Sequence, residues 1–290
     1  MRKTIGLIIL VLLLVPAGLG EARNYEFTDL HIHLTVDRQG AVHVVENRTM
    51  RFHGTFTGMY QWVSTTGGIK VRDIRLSEGE TDYALLEQSS PGPADTFFVR
   101  YEPDQVYIDW SFEAVDETRT FTLSYVLDNV ILVHSDAAEL YLQFVGNQWE
   151  QEHQAVSVEL NLPSGASKDE IRAWGHGPLN GIVQVLSGNQ VVWNVSPLPG
   201  QTFLEGRVTF PPQLVPGAVR YSGTEGLSSI MAEEEKWAAE SNRLRQLNLW
   251  DKILGFVVAV SGIGIAVLYW SRYGREFPHA YSGEYYREVP

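Results

Sequence analysis

Apolar and polar positions alternate with a period of two from Tyr25 to Pro216, in short runs rich in Val, Ile, Thr, Tyr, Phe and Trp. Turn residues separate these runs, and that combination predicts strands rather than helices. The expected strands are 29–36, 41–50, 70–76, 96–101, 105–112, 118–127, 139–144, 154–160, 181–186, 190–195 and 202–210. Strands at such spacing, with no long helical period between them, predict an all-β body of one or two immunoglobulin-like β-sandwiches. Two are expected, an N-terminal sandwich over 23–128 and a second β-rich domain over 129–216, meeting near 128–138.

The first pair of strands is specified down to its register. Asp37-Arg38-Gln39-Gly40 suits a type I turn with Gly40 in the left-handed bulge position, so Asp37 pairs with Ala41. Counting outward, Val36 faces Val42, Leu34 faces Val44 and Ile32 faces Glu46, which places most apolar positions of both strands on one face.

Two segments break the alternation. Residues 1–22 carry Arg2 and Lys3, an apolar run from Ile5 to Val15, Pro16, and the small residues Ala17, Gly18, Gly20 and Ala22, the pattern of a cleaved signal peptide. Residues 253–270 are uncharged and, at about 1.5 Å per residue, extend about 27 Å as a helix, enough to span a hydrocarbon core. Trp250, Tyr269, Trp270 and Tyr273 flank that span as interfacial aromatics. Arg272 and Arg275 follow it directly, whereas Asp251 offsets Lys252 before it. The expected orientation is therefore a body outside the cell membrane and a cytoplasmic tail, residues 271–290. Between body and span, residues 217–252 read as a small-residue linker and a juxtamembrane helix. Ser228 or Ser229 is its expected cap, and Glu233, Glu234 and Glu235 stand near its positive end.

Composition narrows the function classes. The chain has 290 residues, 44% hydrophobic and 20% charged, the balance of a folded protein. Its formal charge of -13 opposes binding to nucleic acid phosphates, and no concentrated basic face offsets it. The absence of cysteine excludes a disulfide framework, a thiolate metal site and a cysteine nucleophile. No cofactor is implied.

Candidate chemistry is sparse. His31, His33 and His43 fall on the outer face of the first hairpin, with Asp29 beside them, and imidazoles so placed are candidate zinc or copper ligands; a polar outer face is the competing reading. Trp174-Gly175-His176-Gly177-Pro178 reads as a distinctive loop in which Trp174 or His176 is a candidate ligand contact, against a structural turn with Trp174 in the core. Asp104 with Asp109, and Asp136 with Glu139 beside His134, are the best carboxylate pairs for acid and base work. No nucleophile elbow, phosphate loop or zinc-protease helix accompanies them, so no catalytic residue is assigned.

Several stretches carry a family resemblance. They are His33 to Gly40 with Val45-Glu46-Asn47, Phe52 to Tyr60, Phe121 to Tyr125, Ala138 to Tyr141, Trp149, Leu162-Pro163, Trp174 to Gly181 and Arg207 to Pro211. Together they resemble the prokaryotic predicted membrane proteins of domain of unknown function 2207 over nearly the whole mature chain. The resemblance implies an exported β-rich part, a membrane helix and a basic stop like Arg272 to Pro290. It also implies continuation into further membrane helices, so a sequence ending at Pro290 is expected to be a truncated or split version. No reaction follows from it. The functional expectation is a membrane-anchored, non-enzymatic envelope interaction or display module with a protein or polysaccharide partner. A ligand- or metal-binding sensor ectodomain is the alternative, and a membrane-bound hydrolase the third reading.

Overall fold

The computed structural model describes residues 23–88 and 91–274. The expected signal segment, 1–22, and residues 275–290 of the expected tail lie outside the described residues. In chain order the strands are β1 (Asn24–Val36), β2 (Val42–His53), β3 (Thr55–Ser64), β4 (Lys70–Glu78), β5 (Thr81–Asp82) and β6 (Ala84–Leu86). Then follow β7 (Thr96–Tyr101), β8 (Gln105–Val115), β9 (Thr118–Asp128), β10 (Ile131–Val133) and β11 (Ala138–Val145). The last are β12 (Val156–Asn161), β13 (Arg172–His176), β14 (Ile182–Ser187), β15 (Gln190–Val195) and β16 (Leu204–Phe210), before one long helix, α1 (Leu227–Tyr273).

Every expected strand overlaps an observed one, while β3, β5, β6, β10 and β13 were not anticipated. The first hairpin has the expected register, with Val36 opposite Val42, Leu34 opposite Val44 and Ile32 opposite Glu46. Gly40 sits at φ +81°, and a Cβ there would come within 2.8 Å of the Ala218 Cβ, so both the turn and the close approach require glycine.

The strands make three sheets. An eight-stranded sheet runs β14-β15-β12-β1-β2-β9-β4-β5, and two four-stranded sheets run β10-β11-β16-β13 and β3-β8-β7-β6. Inward side chains from all three belong to one hydrophobic core, which includes Leu34 and Trp193 of the large sheet, Trp110 of β8 and Phe210 of β16. The division expected near 128–138 does not separate two sheets. β1 pairs in parallel with β12, and the chain through Met231 forms one compact unit. That pairing joins segments more than a hundred residues apart, which no local pattern announces.

The second unit begins at Ala232 and carries the rest of α1. The expected stalk and span therefore fall within one continuous helix of 47 residues. It is long and apolar enough to cross a membrane, and side chains such as Leu254, Phe256 and Ile263 are exposed along it. The helix starts before the serines expected to cap it. The amides of Gly226 and Leu227 instead donate to the Asp136 carboxylate, at 2.7 Å and 3.1 Å. Those hydrogen bonds, that from Gly226 foremost, hold the carboxyl below its usual range.

Candidate functional site

Strand β3 ends its sheet, so among the described residues one side of its backbone has no strand partner. A register shift between Phe56 and Gly58 kinks it against β8, and a Cβ at Gly58 would lie 2.8 Å from the Trp110 carbonyl oxygen. Beyond the kink, Tyr60 stands opposite Asp109 and Trp62 opposite Tyr107, on one face of the ladder. Their rings form a continuous patch, with centroids 4.9 Å apart for Tyr60 and Trp62 and 5.6 Å for Trp62 and Tyr107. The Tyr107 hydroxyl donates to Asp109 at 2.8 Å, and burial followed by that bond raises the phenol above its ordinary range.

Two cavities open along this strand. The first, about 330 Å³, is lined by Gln61, Trp62, Phe144 and Glu205 among others, and reaches Glu46 and Arg48. The second, about 540 Å³, is lined by Tyr25, Phe56, Tyr60, Asp109 and Glu150 among others. Trp62, Gln148 and Trp149 line both.

Behind the first cavity lies a buried ionic cluster built from three strands. The inward face of β2 reads Val42, Val44, Glu46, Arg48, Met50 and Phe52, so two charges stand in an apolar stripe. The Glu46 carboxylate accepts from the Tyr125 hydroxyl of β9 at 2.6 Å, Arg48 Nη2 at 3.1 Å and Gln61 Nε2 of β3 at 3.4 Å. The Arg48 guanidinium lies 4.5 Å from the Trp149 ring centroid, while its Nη1 is buried with no hydrogen-bond partner. Burial, then Glu46, pushes the Tyr125 phenol well above its usual value; burial also lowers Arg48 against the pull of Glu46. His153 is stacked on Phe27 at 4.0 Å, and burial together with the charge of Arg48 lowers it to about 3. The imidazole is therefore neutral at physiological pH.

The three hairpin histidines do share the outer face, yet each meets a different carboxylate. His31 is 2.7 Å from Asp29, His43 3.4 Å from Asp37 and His33 3.8 Å from Glu159. Among the described residues no group of three or more His, Cys, Asp or Glu is placed to hold a metal ion. Trp174 and His176 lie on β13, not in a loop, opposite Arg207 and Glu205 of β16. Gly175 serves packing rather than a turn, because a Cβ there would meet Trp193 at 3.1 Å. The Trp174 carbonyl accepts from Trp193 Nε1 at 2.9 Å, and the His176 ring meets Tyr141 edge-on at 5.6 Å.

The carboxylates near His134 are engaged in structure. Glu139 accepts from Arg207 Nε at 2.6 Å and lies 3.1 Å from His134 Nε2, while His134 Nδ1 is 2.9 Å from Ser222 Oγ. With Asp136 on the Gly226 and Leu227 amides, this cluster ties residues 222–227 to the strands before α1. The cleft residues Gln61, Trp62 and Trp149, and the cluster Glu46, Arg48 and Tyr125, escaped the sequence reading. A signal for two of them was present, since Glu46 and Arg48 interrupt the apolar register of β2.

Residues 26–210 match the family model described as the N-terminal domain of a predicted membrane protein, DUF2207. No curated protein matches. Among solved structures, a Parabacteroides distasonis protein provisionally described as a protease shares 8% identity at a TM-score of 0.38, over 64% of this chain and 40% of that one. The M1 zinc metallopeptidase from Deinococcus radiodurans shares 12% at 0.36, over 63% of this chain and 42% of the enzyme. This chain thus spans about two-fifths of the length of these proteins.

Proposed function

Because the chain belongs to the DUF2207 family of predicted membrane proteins, we propose that it is an extracytoplasmic recognition module held at the cell membrane by α1. In this reading residues 1–22 are a cleaved signal, the β body is an immunoglobulin-like sandwich outside the membrane, and the tail is cytoplasmic. The charge asymmetry around the span, with Arg272 and Arg275 on one side and the Asp251/Lys252 pair on the other, supports that orientation.

The observation that carries the reading is the cleft along β3, where aromatic faces and planar polar groups surround two adjoining cavities in the compact β unit. A concave, mostly preformed site with a few convergent polar groups is what ligand recognition requires. Its deepest carboxylate, Glu46, is already held by three donors, which favours binding over proton transfer. The partner is an envelope protein or polysaccharide. A photo-crosslinking residue placed at Tyr60, whose side chain is 48% exposed, is expected to form an adduct with an envelope component in intact cells. No adduct, with only free monomer in mild detergent, would sink the recognition role.

A further inference from the structure

We infer that the paired cavities form one carbohydrate-binding cleft for a neutral, unbranched oligosaccharide of at least two sugar units, with Trp62 and Trp149 as the stacking platforms; this rests on the recognition reading above. A sugar ring presents an apolar C–H face and a rim of hydroxyl groups that both donate and accept. Its complement is a flat aromatic surface edged by planar amides and carboxylates, which hydrogen-bond in fixed directions.

Both cavities have that composition. The first is lined by the aromatic residues Trp62, Phe144 and Trp149 together with the polar residues Gln143, Gln148 and Glu205. Glu205 is held for this role, accepting from Tyr141 Oη at 2.9 Å and Gln143 Nε2 at 3.1 Å. Around the second, Tyr60, Trp62 and Trp149 meet Asp109, Ser111 and Glu150. Volumes of about 330 and 540 Å³ fall within the range of about 300 to 1,000 Å³ typical of ligand pockets. The shared wall of Trp62, Gln148 and Trp149 makes them neighbouring subsites rather than separate pockets.

The charges choose among sugars. Glu46, Glu205, Asp109 and Glu150 outnumber Arg23 and Arg48 along the cleft, and Arg48 Nη2 is paired with Glu46, so a polyanionic glycan would be repelled. A peptide strand added to the free edge of β3 would use backbone groups and leave the amide and carboxylate edge without a role. The hydroxyl-rich ligand uses both.

The test uses the full chain in a detergent without a sugar headgroup. Binding of cellohexaose and chitohexaose, with cellobiose, glucose and N-acetylglucosamine as shorter probes, is followed by tryptophan fluorescence and calorimetry. At least one hexamer is expected to bind with a Kd at least tenfold below that of its monomer and to change the tryptophan emission. Trp62→Ala and Gln148→Ala are each expected to weaken it at least tenfold; Gln148 is exposed, so its variant reports on binding even if loss of Trp62 perturbs folding. Absence of hexamer binding by folded parent protein, equal affinity for monomer and hexamer, or parent-like affinity in the Gln148 variant would overturn the inference. A protein adduct from Tyr60 alongside no glycan binding would leave the recognition reading standing and remove the carbohydrate.

Discussion

Glu46 and Arg48 are two residues apart on the inward face of β2, and each is only about one-twentieth exposed, at 4% and 5%. Two charges so deeply buried are tolerable only because the carboxylate has three donors and the guanidinium has the carboxylate and a ring face. Glu46→Ala removes the compensation and leaves a buried cation, so a loss of about 3–5 kcal/mol is expected in denaturant unfolding of the full chain. The Glu46→Leu/Arg48→Met double variant should lose much less than the two single changes summed, because it removes both charges together. His153 gives a second residue-scale prediction. Its folded value of about 3 lies below the unfolded 6.5, so between those limits the unfolded chain binds the extra proton. Stability therefore rises with pH through that window and falls on acidification, by up to about 1.4 kcal/mol per pH unit. Melts at pH 7 and pH 5 check the sign, and His153→Phe should flatten the acid slope; an unchanged slope would contradict the assignment.

At the scale of elements, the β1–β2 hairpin was legible because its register follows from turn chemistry and period alone. Gly40→Ala forces a Cβ into the left-handed region, costing about 1–2 kcal/mol before the collision with Ala218 is counted. The expected result is a lower unfolding midpoint, whereas Gln39→Ala, in the same turn with a side chain in no hydrogen bond that shapes it, should change little. Strands β3 and β13 were missed for opposite reasons. In β3 a glycine kink and an aromatic run blur the alternation, and at β13 Gly175 within the strand and Gly177 just after it look like a turn. Only the neighbours explain them: Trp110 excludes a side chain at Gly58, and Trp193 crowds Gly175.

For the whole molecule, the question is on which side of the bilayer the β unit lies. The chain has no cysteine, so single cysteines report position without background. Glu80→Cys, in the exposed turn between β4 and β5, is expected to react with a membrane-impermeant maleimide in intact cells, and Ser282→Cys only after lysis. The reverse pattern would invert the proposed topology. The same proposal places the cleft where an envelope ligand can reach it, so orientation and binding stand or fall by separate measurements.

Local order was written in the chain: the two-residue period, the turn at 37–40, and the uncharged run from 253 to 270 depend on neighbours in sequence, and eleven of the strands, the first hairpin's register and an apolar helix long enough to span follow from them. What lay beyond local pattern was which distant strands meet. The parallel pairing of β1 with β12 unites segments expected to be separate, and the meeting of β2, β3 and β9 turns Glu46, Gln61, Arg48 and Tyr125 into one cluster. The histidines show the same limit. Their common face was predictable from alternation, but the carboxylate beside each ring was set by the fold, with Glu159 brought to His33 by the strand that pairs with β1.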